Sequence, residues 1–232
     1  MGTVRWGVIG NAKIGRERLQ PAIEASAQGE LVAVASRSGE LSYEGLLARD
    51  DIDAVYIPLP NHLHVEWSRK ALEAGKHVLC EKSIALSPAE LAPLMDIRPD
   101  LILCEAFMVR YHPQWLKVRE LVQDGTIGEV TSINGQFSFY NDDPTNVRNQ
   151  PNMGGGGMLD IGCYPIFGAR FVWGAEPVQA ASFIVDRPDF GVDVQCSAIM
   201  NFPGNRHLNF TCSTLLDLHQ RMVFQGTKGR IE

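Results

Sequence analysis

The chain has 232 residues, 45% of them hydrophobic, with 21 Lys and Arg against 27 Asp and Glu for a formal net charge of −6. It is long enough to bury one large core or two modest ones, and it has no basic cluster to mark a nucleic-acid partner. No apolar stretch reaches the roughly 18 residues of a membrane span, and the N-terminus enters a strand pattern with no basic, apolar and small-residue leader, so a cytoplasmic protein is expected.

From residue 4 to about residue 124, short apolar runs at 4–9, 31–35, 54–57, 77–80 and 101–104 alternate with helical spacing at 14–27, 65–74 and 115–122. This is the rhythm of a parallel sheet covered by helices. The first strand runs into VRWGVIGNAKIG, which delivers Gly10 to a tight turn and sets Ala12 and Gly15 at the spacing of a dinucleotide fingerprint, with Lys13 and Ile14 between them. Backbone amides and the helix N-terminus there suit a pyrophosphate, although Ala12 replaces the second glycine. After the second strand come Ser36 and Arg37. A hydroxyl and a guanidinium suit the 2′-phosphate of NADP, where NAD binding would call for a carboxylate, so NADP is favoured over NAD; the alternative is an exposed arginine in a polar turn.

The third strand ends in PLPNHLH, and the loop is assigned to cofactor contact through Pro58, Leu59, Asn61 and His64, with Asn61 also a good N-cap. The fourth strand ends in Glu81-Lys82, which on its own reads as a solvated pair. Ser87-Pro88-Ala89-Glu90 then supplies an N-cap, a first-turn proline and a capping-box acid.

Beyond Gly128 the pattern changes to longer runs at 129–140, 179–185, 192–202, 207–213 and 220–224, which read as an antiparallel sheet interrupted by a helix beginning near Met158. That helix follows four glycines in GGGGMLDIGCY, where Asp160 and Tyr164 lie one turn apart on one face. The pattern fits an aimed carboxylate and proton-donating hydroxyl, or a flexible loop before a buried helix whose Tyr164 finds a backbone partner. Five scattered cysteines, Cys80, Cys104, Cys163, Cys196 and Cys212, lack zinc spacing and suit reduced core thiols; no metal site is expected. The fold class is therefore α/β, an N-terminal Rossmann-type parallel sheet with helices over 1–124, followed by an α+β domain with a large, mostly antiparallel sheet over 125–232.

Taken in order, GNAKIG, PLPNHLH, Glu81-Lys82, CEAFMVRYHPQ at 104–114, GGGGMLDIGCY and GTKGRIE at 226–232 resemble the glucose-fructose oxidoreductase and inositol dehydrogenase family, often called Gfo/Idh/MocA, over nearly the whole chain. The resemblance implies a catalytic set of Lys82, Asp160 and Tyr164. Lys82 would lie beside the nicotinamide and polarise or help deprotonate the reacting oxygen, Asp160 would position the sugar, and Tyr164 would be the acid-base group. Inositol dehydrogenase relatives have His at this last position; Tyr is similar to the branch containing glucose-fructose oxidoreductase, aldose 1-dehydrogenases and trans-dihydrodiol dehydrogenase. A phenol with pKa near 10 is a poor base at neutrality, and a nearby ammonium favours its phenolate. Cofactor contacts are expected from Gly10, Ala12, Lys13, Ile14, Gly15, Ser36, Arg37, Pro58, Leu59, Asn61, His64, Glu81 and Lys82.

The implied activity is NADP-dependent hydride transfer between the nicotinamide and a sugar, an aldose or similar cyclic polyol, at C1. The alternatives are trans-dihydrodiol dehydrogenase and a catalytically silent NADP-binding regulator on the same fold. A homo-oligomer formed through the second-domain sheet is also implied. The sequence departs from the family pattern at Ser83, which stands where the family has proline, and in the short stretch between Arg37 and Ala54. It stops at Glu232 near a strand where family members continue, so the second domain is expected to be incomplete at its C-terminus. Arg110, Tyr111, His112 and Arg148 either line the crevice or brace it.

Overall fold

The alternating apolar runs of the first half assemble as the sequence pattern requires. A computed structural model describes residues 2–232. Strands β1 (Val4–Ile9), β2 (Gly29–Ala35), β3 (Ala54–Ile57), β4 (His77–Glu81) and β5 (Leu103–Ala106) form one sheet in the order β2-β1-β3-β4-β5, and every neighbouring pair is parallel. All four residues of β3 are buried, the continuous apolar run that a strand covered on both faces needs. Helices α1 (Gln20–Ala25), α2 (Tyr43–Leu47), α3 (His64–Glu73) and α4 (Pro88–Leu91) accompany the sheet. Leu46 of α2 and Trp67, Ala71 and Leu72 of α3 join Ile9, Val55 and Ile57 in one core. Each large side chain so enclosed contributes about 1.5 to 3 kcal/mol of burial free energy.

Three local details differ from the sequence pattern. Strand β5 begins at Leu103, beyond the expected 101, because Leu101 closes a turn on the Arg98 carbonyl and Ile102 donates its amide to His77 Nδ1. Asn61 is no N-cap: Pro60 precedes the short turn Asn61–Leu63, Leu63 precedes α3, and neither helix start has a side-chain cap. The Ser87 hydroxyl does accept the Glu90 amide, and Glu90 in turn accepts the Leu86 amide, yet α4 lasts one turn, since Pro93 follows without an N–H to continue it.

The second unit is a six-stranded sheet of β6 (Val130–Tyr140), β7 (Gln179–Arg187), β8 (Val192–Phe202), β9 (Arg206–Ser213), β10 (Leu215–Gly226) and β11 (Arg230–Ile231), in the order β11-β10-β6-β9-β8-β7. Only β6 and β9 pair in parallel; the other neighbours are antiparallel. Alternate residues Leu208, Phe210 and Cys212 of β9 point into a core shared with Val172 of α6 (Cys163–Trp173) and Val118 of α5 (Pro113–Gln123). Strand β7 is exposed along almost its whole length.

The compact units divide between Phe107 and Met108, whereas the sequence pattern placed the boundary after residue 124. The reason is α5: Trp115 packs edge-on against Phe224 with ring centroids 6.0 Å apart, so this helix belongs to the second core. Among the described residues no helix is long and apolar enough to cross a membrane, and no three His, Cys, Asp or Glu side chains group as a metal site. All five cysteines are free thiols.

At the start of β1, Arg5 grips Asp53 with a two-pronged pair, Nε to Oδ2 at 3.0 Å and a terminal nitrogen to Oδ1 at 2.7 Å, while the Arg5 amide adds a third bond at 2.9 Å. These bonds hold the Asp53 carboxyl down at about 2. A carboxylate depressed on folding stabilises the native state above its unfolded pKa near 3.9 and loses that contribution as pH falls through about 2. Asp53→Asn should therefore cost about 1 kcal/mol or less at neutral pH, since the pair is partly solvated, and should flatten the acid side of the stability profile measured by urea unfolding. An unaltered profile would contradict the assignment.

Candidate active site

Three strand ends meet at the carboxyl edge of the parallel sheet. Gly10, immediately after β1, donates its amide to the Ala35 carbonyl at the end of β2, 2.9 Å away. Its φ of +119° suits glycine, and a Cβ here would lie 2.9 Å from Leu59 Cδ2 and 3.6 Å from the Pro58 carbonyl oxygen after β3. Beyond the turn the chain enters a helix whose first part, Gly15–Leu19, is a wide π turn, with the Ala12 carbonyl accepting the Arg16 amide. Such a helix start leaves its first amides without intrahelical partners. Lys13 is exposed and Ile14 half-buried. Ser36 begins a turn closed by the Gly39 amide on its carbonyl, 3.1 Å, and Arg37 stands exposed on it. The first edge thus brings Gly10, Pro58, Leu59 and the Ser36-Arg37 turn together.

The loop that follows β4 and carries Lys82 is pinned from three sides. The buried Tyr56 hydroxyl donates to Glu81 Oε1 at 2.6 Å. Burial, and then the Glu81 charge, push the Tyr56 phenol well above its ordinary range, which keeps it a donor. Glu105 Oε1, on β5, accepts the Ile84 amide at 2.9 Å. His64 is fully enclosed, with Nδ1 2.7 Å from the Ser83 carbonyl oxygen and Nε2 2.7 Å from that of Leu59. Both ring nitrogens of His64 therefore face backbone carbonyls within the protein. The Lys82–Ser83 peptide is cis. Cys80, in the same strand, is buried, and burial pushes its thiol up to about 12, so it is unreactive.

In the second unit, Met158–Gly162 forms another wide π turn that leads into α6, so Asp160 and Tyr164 occupy successive turns of one continuous helical segment. Single π turns of this kind recur at functional sites. Arg148 donates Nε to Asp160 Oδ2 at 2.7 Å, with the Asp160 side chain 13% exposed against 43% for Arg148. This charge-assisted bond leaves the carboxylate aimed and only slightly solvated. The Tyr164 ring rests against Phe137 at 5.3 Å between centroids. Arg148 also receives the Gly156 amide on its carbonyl, 2.9 Å. A Cβ at Gly155 would lie 2.4 Å from that carbonyl oxygen. Part of the glycine run therefore serves close approach within the protein itself.

No local pattern in the sequence separates bracing from lining at Arg148, and none marks Tyr56 or Glu105, whose partners Glu81 and Ile84 lie far along the chain. His112 braces: its Nδ1 accepts the Gln114 amide and caps α5.

Residues 4–99 match the model of an oxidoreductase family with an NAD-binding Rossmann fold, and residues 115–232 match that of the GFO/IDH/MocA C-terminal domain. An uncharacterized oxidoreductase of Rhizobium meliloti, ORF334, is 42% identical across 100% of this chain and 74% of its own length. D-xylose 1-dehydrogenase (NADP(+)) 2 of Haloferax volcanii is 38% identical across 98% of this chain and 74% of its own. The crystal structure of KijD10, a 3-ketoreductase from Actinomadura kijaniata in complex with NADP and TDP-benzene, superposes with a TM-score of 0.89 at 36% identity, covering 99% of this chain and 75% of that one.

Proposed function

The chain belongs to the GFO/IDH/MocA oxidoreductase family, and from that premise we propose that it is an NADP-dependent sugar dehydrogenase acting at C1 of an aldose or similar cyclic polyol. The observation that carries the cofactor choice is the turn after β2, where Ser36 and exposed Arg37 occupy the place of a ribose-binding carboxylate. The edge fits NADP: Gly10 and the helix start behind Ala12 suit the pyrophosphate, and the Arg37 guanidinium suits the extra phosphate. The similarity to a D-xylose 1-dehydrogenase supports C1 as the reacting carbon.

When bound, the nicotinamide supplies the hydride acceptor. Lys82 polarises the sugar oxygen through its ammonium. Asp160, braced by Arg148, accepts a sugar hydroxyl and fixes the ring. Tyr164 takes the proton from the reacting hydroxyl as the C–H bond gives up its hydride, and the reverse sequence reduces a carbonyl. A second reading, reduction of a 3-keto group on a nucleotide-linked sugar, is favoured by the likeness to KijD10 and to a dTDP-sugar 3-reductase of Actinomadura kijaniata, and uses the same groups in the reverse direction. The apolar surface along β7 and β8, with Phe183 86% exposed and Ile199 also open, is read as the face that a second copy covers.

Incubation with NADP and a panel of aldoses should yield reduced cofactor, with turnover lowered about a hundredfold or more in Tyr164→Phe, since general acid-base groups contribute on that order. Cofactor binding without turnover on any sugar would refute the dehydrogenase reading, and turnover of a keto nucleotide-sugar alone would select the second one. Arg37→Glu should weaken NADP at least tenfold relative to NAD in a direct binding titration, and an unchanged ratio would refute the 2′-phosphate role. Light scattering should give a mass of at least two chains; a monomer at micromolar concentration would remove the sheet-face association.

A further inference from the structure

We propose that Asp193 is a positioning residue that fixes the start of the helix bearing Asp160 and Tyr164. The inference rests on the reading of those two side chains as reacting groups. Asp193 lies on β8, and its Oδ2 accepts the Met158 amide at 2.7 Å from 35 residues away in the chain. It therefore acts as an N-cap supplied by a strand, because the residue before the turn, Gly157, has no side chain to do so. A negative charge at a helix N-terminus is further favoured by the helix dipole.

One of the four glycines, Gly156, is explained by this carboxylate. A Cβ at Gly156 would sit 2.3 Å from Asp193 Oδ1, and the φ of +121° there already disfavours any other residue. A Cβ at Gly157 would lie 3.4 Å from Oδ2. The backbone at Gly156 thus passes Asp193 at a distance that only glycine permits, while Gly157 is in ordinary van der Waals contact with it. On the opposite side of the loop the Arg148 carbonyl receives the Gly156 amide at 2.9 Å, while the Arg148 side chain holds Asp160 at 2.7 Å. Arg148 and Asp193 clamp the segment from two sides, and the Gly156 carbonyl between them accepts the Asp160 amide at 3.1 Å. Release of the Asp193 clamp would let the first turn unwind and carry Asp160 with it, displacing the carboxylate while the parallel sheet of the first unit stayed intact.

The test compares wild type, Asp193→Asn and Asp193→Ala by amide hydrogen exchange and by steady-state kinetics with D-xylose and NADP. Asp193→Ala should speed exchange at Met158 about tenfold, as expected for a lost cap, and lower kcat/KM by about tenfold or more, since small displacements of positioned groups are costly. The NADP dissociation constant and exchange within residues 4–99 should stay unchanged. Asp193→Asn, which retains an acceptor oxygen and the shape, should fall between the two and keeps the test valid if the alanine variant does not fold. Unchanged exchange at Met158 together with unchanged kinetics would overturn the inference. Faster exchange at Met158 in a protein whose wild type turns over no sugar would support the positioning role and refute the proposed activity.

Discussion

The parallel pairing of β1 with both β2 and β3 is the constraint on which the first unit depends. The chain leaves β1, forms β2 on one side, then crosses to β3 on the other, a reversal of strand order that marks where nucleotides bind in open sheets of this kind. Strand β3, to which the chain crosses, is buried along its whole length, as a strand covered on both faces must be. Gly10 then closes the edge by bonding to Ala35 and abutting Leu59. A larger residue there would push the third loop away from the first, and the whole nucleotide edge would lose its shape.

The second unit solves a different problem, that of holding polar side chains still at the start of a helix. A helix start carries unpaired amides, and a glycine-rich approach contributes no side chains to satisfy them. The Asp193 carboxylate accepts the Met158 amide and the Arg148 carbonyl accepts the Gly156 amide, while the Arg148 side chain holds Asp160. The loop that carries Lys82 is treated in the same way, with Tyr56, His64 and Glu105 reaching it from three other elements. In both units the groups proposed to react are carried on segments that cannot hold themselves, and long-range hydrogen bonds supply the rigidity.

The same contrast separates what was legible in the sequence from what was not. Strands whose signal is a short apolar run bounded by turn residues, such as Val4–Ile9, Ala54–Ile57 and Val192–Phe202, are found where the pattern places them. The polar candidates Arg37, Asp160 and Tyr164 are visible through local motifs, whereas Lys82 enters only through the family resemblance. Features that depend on a partner far along the chain were not: α5 changes unit because Trp115 finds Phe224, and His64 turns inward because two carbonyls are waiting for it. The four glycines signal clearance for something brought close, and at Gly155 and Gly156 that something is the Arg148 carbonyl and the Asp193 carboxylate. Periodicity and spacing carry no information about such meetings.

The central claim is that this chain moves a hydride from a sugar carbon directly to a nicotinamide. Mass spectrometry of the cofactor after a single turnover with D-xylose deuterated at C1 tests this most directly. The account predicts reduced NADP carrying the deuterium at the nicotinamide ring, whereas reduced cofactor that has gained only solvent hydrogen would contradict it.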